Sequence, residues 1–200
     1  MKIYHPLLFA FMAFFFIFIG VKVIIVSKRP LFMPAKYFLA LMVLAFSPQF
    51  VNMMDMFLND KLDKIGLILL ISPILFVCLL VYFWILMKGY MAIGVSDDSF
   101  RDAIHFSLKK INQPFEEKLS TIKLTAINAN LQISIQSWIS SAQLRLKQSK
   151  DTKLLAEIVM GMNEYYIKND IKPNNVTSIF YILIGVLMLV FAGVLFYVFL

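Results

Sequence analysis

Four stretches of the chain are continuously apolar, and a polar segment separates the third stretch from the fourth. A membrane-spanning helix needs about 20 apolar residues to cross about 30 Å of hydrocarbon. The pattern therefore predicts four transmembrane helices, over residues 6–26, 37–57, 65–87 and 178–200. The first stretch is longer than the apolar region of a signal peptide, which covers about 7–15 residues, so we interpret it as a span.

The polar segment, residues 88–177, begins with signals for a strand and then a helix. Residues 90–95 form a short apolar run, and Ser96 follows as a candidate helix N-cap. Apolar residues then recur at helical spacing, at Phe100, Ile104, Leu108 and Ile111. Pro114 lies just beyond the expected end of this helix.

The second half of the segment alternates between apolar and polar residues, which is typical of strands with one buried face. The alternation covers residues 121–126 and 131–136 and resumes in the other phase at Ala142, Leu144 and Leu146. We therefore expect a turn or a bulge between Ser137 and Ser141. A second amphipathic helix follows, with its apolar side at Leu155, Ile158 and Met162. The expected order is β-α-β-β-β-α, a small α+β layer with both helices on one sheet face.

The predicted organisation therefore has three parts. Residues 1–87 form a three-helix membrane region, residues 88–177 form the α+β domain, and residues 178–200 form the fourth transmembrane helix. The predicted fold class is a membrane α-helical protein with a small α+β domain inserted between helices 3 and 4.

Composition supports the membrane interpretation and excludes several kinds of site. Of 200 residues, 60% are hydrophobic and 16% charged, against about 45–50% and about 25% in soluble domains. The single cysteine, Cys78, excludes a disulfide framework, and the two histidines, His5 and His105, lie far apart. Because phosphate-loop, dinucleotide and hydrolase motifs are also missing from the sequence, we expect no catalytic, cofactor or metal site.

The positions of the charges predict the orientation. The first loop carries Lys28, Arg29 and Lys36 without an acid, and Lys88 follows the third stretch directly. Basic residues near spans favour the cytoplasmic side. We therefore expect residues 88–177 in the cytoplasm and both termini outside, and a composition rich in Phe, Ile, Lys and Asn suggests a bacterial inner membrane. Acidic and basic residues nearly balance in 88–177, so no nucleic-acid partner is expected.

Polar residues interrupt the second stretch, at Gln49, Asn52 and Asp55. Ionisable groups within a span are costly and usually face protein or water. These residues could form intramembrane polar contacts with a partner span or line an ion or substrate path. Alternatively, the hydrocarbon ends near Val51, and Asn52 and Asp55 lie in the interface.

Two prolines and a tryptophan complete the candidate positions. Pro48 and Pro73 should kink the second and third helices, because proline removes a backbone hydrogen bond. The two kinks could open a shared cavity or serve packing alone. Trp138 lies at the phase change of the strands, where its ring either anchors the core or contacts a partner.

Two functions from different classes agree with these features. The first is a non-catalytic subunit or a binding or regulatory module of a membrane complex, which docks a protein partner or a second copy through its cytoplasmic domain. The alternative is a small oligomeric transport or channel component with a polar path along helices 2 and 3. A lipid-acting enzyme with Asp55 as base lacks a second catalytic group, and no small-molecule ligand is indicated.

Overall fold

The computed structural model describes residues 4–27, 29–58, 66–118, 121–148 and 152–199. Its helices are α1 (Tyr4–Val21, continued by a π-helical turn at Lys22–Ser27), α2 (Lys36–Leu58), α3 (Gly66–Leu86), α4 (Asp97–Lys110), α5 (Thr152–Lys168) and α6 (Val176–Phe199). Its strands are β1 (Leu31–Pro34), β2 (Tyr90–Ile93), β3 (Phe115–Lys118), β4 (Thr121–Leu124), β5 (Ala129–Gln136) and β6 (Ser141–Lys147), with a 3-10 turn at Ser137–Ile139.

The six strands form one antiparallel sheet in the order β1-β2-β6-β5-β4-β3. In its register Ile122 lies opposite Leu131, and Leu131 lies opposite Leu146. Residues on one face alternate with residues on the other because the side-chain period of a strand is two. The side chains on one of these faces pack against helices in a single core.

Helices α4 and α5 cover that inward face. The core contains buried apolar side chains from α4, α5 and the strands: Phe100, Ile104, Leu108, Ile158, Met162, Ile122, Leu131 and Leu144. The two helices approach each other closely at Gly161, where the Ser107 hydroxyl donates a 2.7 Å hydrogen bond to the Ile158 carbonyl. Glycine permits this approach because it has no side chain.

By the residues that the structure describes, the opposite face of the sheet is covered only at its β1–β2 end. There the end of α1 contributes Ile19 and Val23, which pack with Ile93 of β2 in a second buried cluster. Leu31 and Phe38 border the cluster. The first cluster joins the sheet to α4 and α5, and the second joins it to the apolar helix α1.

Helix α6 packs antiparallel along α1. Gly20 lies against Ser178 and Ile182, and nearer the other end Phe9 stacks edge-on against Phe191 with 5.0 Å between ring centroids. Two segments of the described chain are long and apolar enough to cross a membrane, and they belong to these two helices: Tyr4–Ile25 and Val176–Val198.

Helices α2 and α3 form a second pair beside α1. Phe38 of α2 contacts Phe15 of α1, with 6.2 Å between ring centroids, and the hydroxyls of Tyr4 and Ser47 lie 2.6 Å apart. Phe76 of α3 contacts α2, with its ring centroid 4.8 Å from that of Phe46.

The prediction of four transmembrane helices is wrong. Among the described residues, α2 and α3 contain only shorter apolar stretches, Lys36–Pro48 and Ile74–Ile85. The reason in α2 is the run of polar residues after Pro48, which ends the apolar stretch before it reaches the length that a bilayer requires. The chain is a mixed α+β protein with two long apolar helices.

The predicted β-α-β-β-β-α order also needs correction, because the sheet contains two further strands. Strand β1 comes from the first loop, before the predicted domain boundary, and pairs with β2 across a long sequence separation. Strand β3 pairs with β4 at the sheet edge. Its sequence, Phe-Glu-Glu-Lys, carries charge on neighbouring positions and lacks the alternation that identifies a half-buried strand.

Candidate binding face

The uncovered part of the sheet presents a polar surface, which we call the open face. It includes these outward side chains of β3 to β6, each exposed or half-buried: Glu116, Lys118, Thr121, Lys123, Asn130, Gln132, Ser134, Arg145 and Lys147. Four of these nine side chains are lysine or arginine, and one is glutamate. Glu116 lies directly opposite Lys123 and offsets part of this charge. The face therefore suits a partner that brings negative charge.

A shallow cavity of about 500 Å³ lies at one end of the open face. Its lining is polar and comes from β3, β4, β5 and two turns: Lys118, Thr121, Lys123, Asn128, Asn130 and Gln148. The Asn130 amide donates a 2.9 Å hydrogen bond to the Gln148 side-chain oxygen. The two ammonium groups are donors without acceptor capacity, so the cavity favours carboxylate or other anionic groups.

Turn geometry places two of these side chains. Asn128 and Gln148 both adopt left-handed backbone conformations, with φ of 48° and 63°. Asparagine tolerates this region better than most residues, which suits Asn128 to the β4–β5 turn. Gln148 follows β6 directly, and its bond to Asn130 fixes that strand end beside β5.

On the helix side of the domain, three acids form ion pairs. Arg101 forms ion pairs with Asp97 at 2.9 Å and with Glu117 at 2.7 Å, and Glu117 also contacts His105 at 2.7 Å. The hydrogen bond to Asp97, and to a smaller extent the hydrogen bond to Glu117, raises the pKa of Arg101 above its ordinary value. Lys110 pairs with Glu164 across α4 and α5. Helices α4 and α5 carry five acids against five lysines and arginines. The open face carries four lysines and arginines against one glutamate, so it is the more basic side.

The intramembrane candidates fall outside this face. The side chains of Gln49, Asn52 and Asp55 lie outside the part of the chain that the structure describes, so their polar contacts remain predictions. The transport path along α2 and α3 would need these side chains, and it remains a prediction as well. No described group of three His, Cys, Asp or Glu side chains could hold a metal ion.

Pro48 lies inside α2, and Pro73 lies in α3, where its side chain is outside the described part. Pro48 has no N–H, so the Leu44 carbonyl loses its helical partner. The Ser47 hydroxyl replaces that partner by donating a 2.6 Å hydrogen bond to the Leu44 carbonyl. This compensation explains how the helix continues through proline. The predicted kinks themselves stay predictions.

Trp138 lies in the 3-10 turn between β5 and β6, and 76% of its surface is exposed. This exposure excludes the core interpretation. The contact with a partner remains a prediction.

Part of the open face was predicted from the sequence. Alternation over 121–126 assigned Thr121 and Lys123 to the polar side of a strand. Lys118 was not predicted, because the neighbouring charges of β3 give no alternation. The approach of Gln148 to Asn130 depends on tertiary pairing. One local signal could have indicated this part of the face. Lys118 and Lys123 are close in sequence and lie on the two paired strands of a short hairpin.

A buried tyrosine joins the two helices of the core. Tyr166 of α5 is 1% exposed, and its hydroxyl lies 3.3 Å from the Ser99 hydroxyl of α4. Burial raises the pKa of Tyr166 from 10.0 to about 12, because the phenolate would lose its hydration.

This pKa shift predicts alkaline destabilisation. Between pH 10 and about 12 the unfolded chain loses the Tyr166 proton while the folded chain keeps it, so the free energy of unfolding falls as pH rises. The loss attributable to this residue reaches about 2–3 kcal/mol at the upper end. Urea unfolding of Tyr166→Phe at several pH values should show a smaller decline than the parent chain. An identical decline in both chains would contradict the assignment.

No protein-family model, curated protein or solved structure matches this chain. Function is therefore inferred from the open face and from the two long apolar helices.

Proposed function

We propose that this protein is a membrane-anchored, non-catalytic binding module that docks an acidic protein partner through the open face of its sheet. The observation that carries this proposal is the cavity lined by Lys118, Lys123 and side-chain amides. Its described lining supplies cationic and amide groups and contains no carboxylate, imidazole or thiol. Such a set suits recognition of anionic groups better than general acid–base chemistry.

The anchor is the antiparallel pair of α1 and α6. Each contains a segment long enough to cross a membrane. The ends of the two helices that lie nearer the sheet are in contact, where Gly20 meets Ser178. Basic residues cluster at this end, at Lys22, Arg29 and Lys172. The distribution supports a cytoplasmic sheet domain with both termini outside, in a bacterial inner membrane.

The cavity lies at the end of the sheet remote from this anchor. Strand β5 begins beside the cavity at Ala129 and ends at Gln136, where the 3-10 turn contacts α6. A strand of 8 residues extends roughly 26 Å at about 3.3 Å per residue. That distance exceeds the Debye length of about 8 Å at physiological salt. A soluble or membrane-protruding acidic protein therefore fits the cavity better than the lipid surface does.

Neutralising the two cavity lysines tests this function. A short polyglutamate peptide should bind the full chain in detergent micelles, and Lys118→Gln with Lys123→Gln should weaken binding about 2- to 30-fold, since each exposed ion pair contributes about 0.2–1 kcal/mol. The change is read by isothermal titration calorimetry. Binding should also weaken as salt is raised.

The matched control moves the same charge change to the helix side. Lys109→Gln with Lys153→Gln, both on exposed helix positions, should leave peptide affinity nearly unchanged. Equal weakening in both double variants would show a diffuse charge effect and would reject the cavity as the docking site.

A further inference from the structure

The turn that carries Trp138 is held firmly although its tryptophan is exposed. The Ser140 carbonyl accepts hydrogen bonds from the backbone N–H groups of Gly94 at 2.9 Å and Val95 at 3.1 Å. The Ser140 N–H donates to the Ser137 carbonyl at 3.2 Å and closes the turn. A fixed turn that presents a large aromatic ring to solvent leaves substantial apolar area unburied.

The same hydrogen-bond chain ties this turn to the start of α6. The Gly94 carbonyl accepts a 2.8 Å hydrogen bond from the N–H of Asn174, which lies just before α6. Gly94 has a φ of 82°, and a side chain there would meet Pro173 and Val23. The 3-10 turn also contacts α6 directly. Trp138 is therefore fixed at the level where the apolar helix begins.

The turn that carries Trp138 contacts α6, and the first turn of that helix also exposes apolar side chains. Val176 and Ile179 in the first turn of α6 are 50% and 53% exposed, and Trp138 lies beside that end of the helix. Arg29 and Lys172, both exposed, bring positive charge to the same end of the molecule. An amphipathic aromatic ring next to basic residues, at the start of a spanning helix, matches the chemistry of the headgroup region.

We propose that Trp138 inserts into the headgroup region of the bilayer that α6 crosses. This inference rests on the proposed anchoring by α1 and α6. The ring forms a third attachment beside the start of α6 and limits tilting of the sheet relative to the membrane. The indole N–H bonds to headgroup oxygens while the ring covers the upper acyl chains.

The experiment uses the full chain in phosphatidylcholine–phosphatidylglycerol vesicles with Trp84→Phe, which leaves Trp138 as the single tryptophan. Vesicles carry a quencher either on the headgroup or at the end of the acyl chain. We expect blue-shifted emission and stronger quenching from the headgroup than from the chain end.

The matched control is Ile127→Trp with both native tryptophans changed to Phe, which places the probe on the exposed β4–β5 turn at the remote end of the sheet. This probe should show no lipid quenching.

The outcomes separate this inference from the anchor. If the chain resists carbonate extraction but Trp138 is quenched by iodide in water and not by lipid, the insertion is wrong and the anchor stands. If the emission is blue-shifted without lipid quenching, a protein surface covers the ring, and the insertion is again wrong. If carbonate releases the chain from the vesicles, both proposals are overturned.

Discussion

Replacing Gly161 by alanine is expected to destabilise the α+β domain by about 1–3 kcal/mol, although alanine is the better helix former by about 1 kcal/mol. A Cβ at Gly161 would lie 2.3 Å from the Ser107 hydroxyl oxygen and 3.1 Å from the Ser107 Cα. The hydroxyl cannot turn away without losing its bond to the Ile158 carbonyl, and the backbone of α4 would have to move. Hydrogen exchange of the β5 amides, which report opening of the core, should accelerate accordingly.

Two further variants make this expectation specific. Gly193→Ala introduces the same side chain at a helical position where nothing lies within 4 Å, and it should not destabilise the chain. Adding Ser107→Ala to Gly161→Ala removes the closest contact but leaves the Ser107 Cβ at 2.9 Å, so it should restore part of the lost stability. A Gly161→Ala chain as stable as the parent would show that α4 and α5 are not in such close contact.

The second large effect is expected between α1 and α6. Gly185→Leu should separate the two helices, because a Cβ there would lie 2.5 Å from the Ile17 side chain and 2.9 Å from the Ala13 carbonyl oxygen. Gly20→Leu should act in the same way, with the Ser178 carbonyl oxygen at 2.6 Å. Overpacking of this kind costs about 1–3 kcal/mol at each site.

The separation can be measured by cross-linking in the membrane. Cysteines at Phe9 and Phe191, introduced with Cys78→Ser, lie where two rings now meet and should be joined efficiently by a short bifunctional maleimide. Gly185→Leu should lower the yield several-fold. Gly193→Leu, in the same helix but facing open space, should leave the yield unchanged. Equal yields in all three chains would reject the close α1–α6 packing.

Local signals in the sequence predicted the elements of the domain that depend on local chemistry. Ser96 caps α4 as expected: its hydroxyl accepts from the Ser99 N–H, and the Ser99 hydroxyl accepts from the Ser96 N–H. Leu155, Ile158 and Met162 form the buried side of α5. The phase change between β5 and β6 is a 3-10 turn followed by Ser140 at a φ of 49°.

Features that depend on distant pairing could not be predicted in this way. Strand β1 is only four residues long and becomes a strand because Leu31 pairs opposite Ile93. Apolar content alone predicted four spans, yet among the described residues only segments of α1 and α6 are long and apolar enough for one. On the open face, alternation along the sequence indicated Lys123. The cavity could not be predicted, because it forms only when β3 and the end of β6 come to lie beside the strands β4 and β5.

The proposed arrangement has α1 and α6 in a membrane and the sheet domain on its cytoplasmic side. Its most direct test is cysteine accessibility in intact cells, with Ile127→Cys on the remote turn of the sheet and Tyr4→Cys at the start of α1, each introduced with Cys78→Ser. A membrane-impermeant maleimide should label Tyr4→Cys in intact cells and Ile127→Cys only after the membrane is opened. Labelling of Ile127→Cys in intact cells would contradict this arrangement.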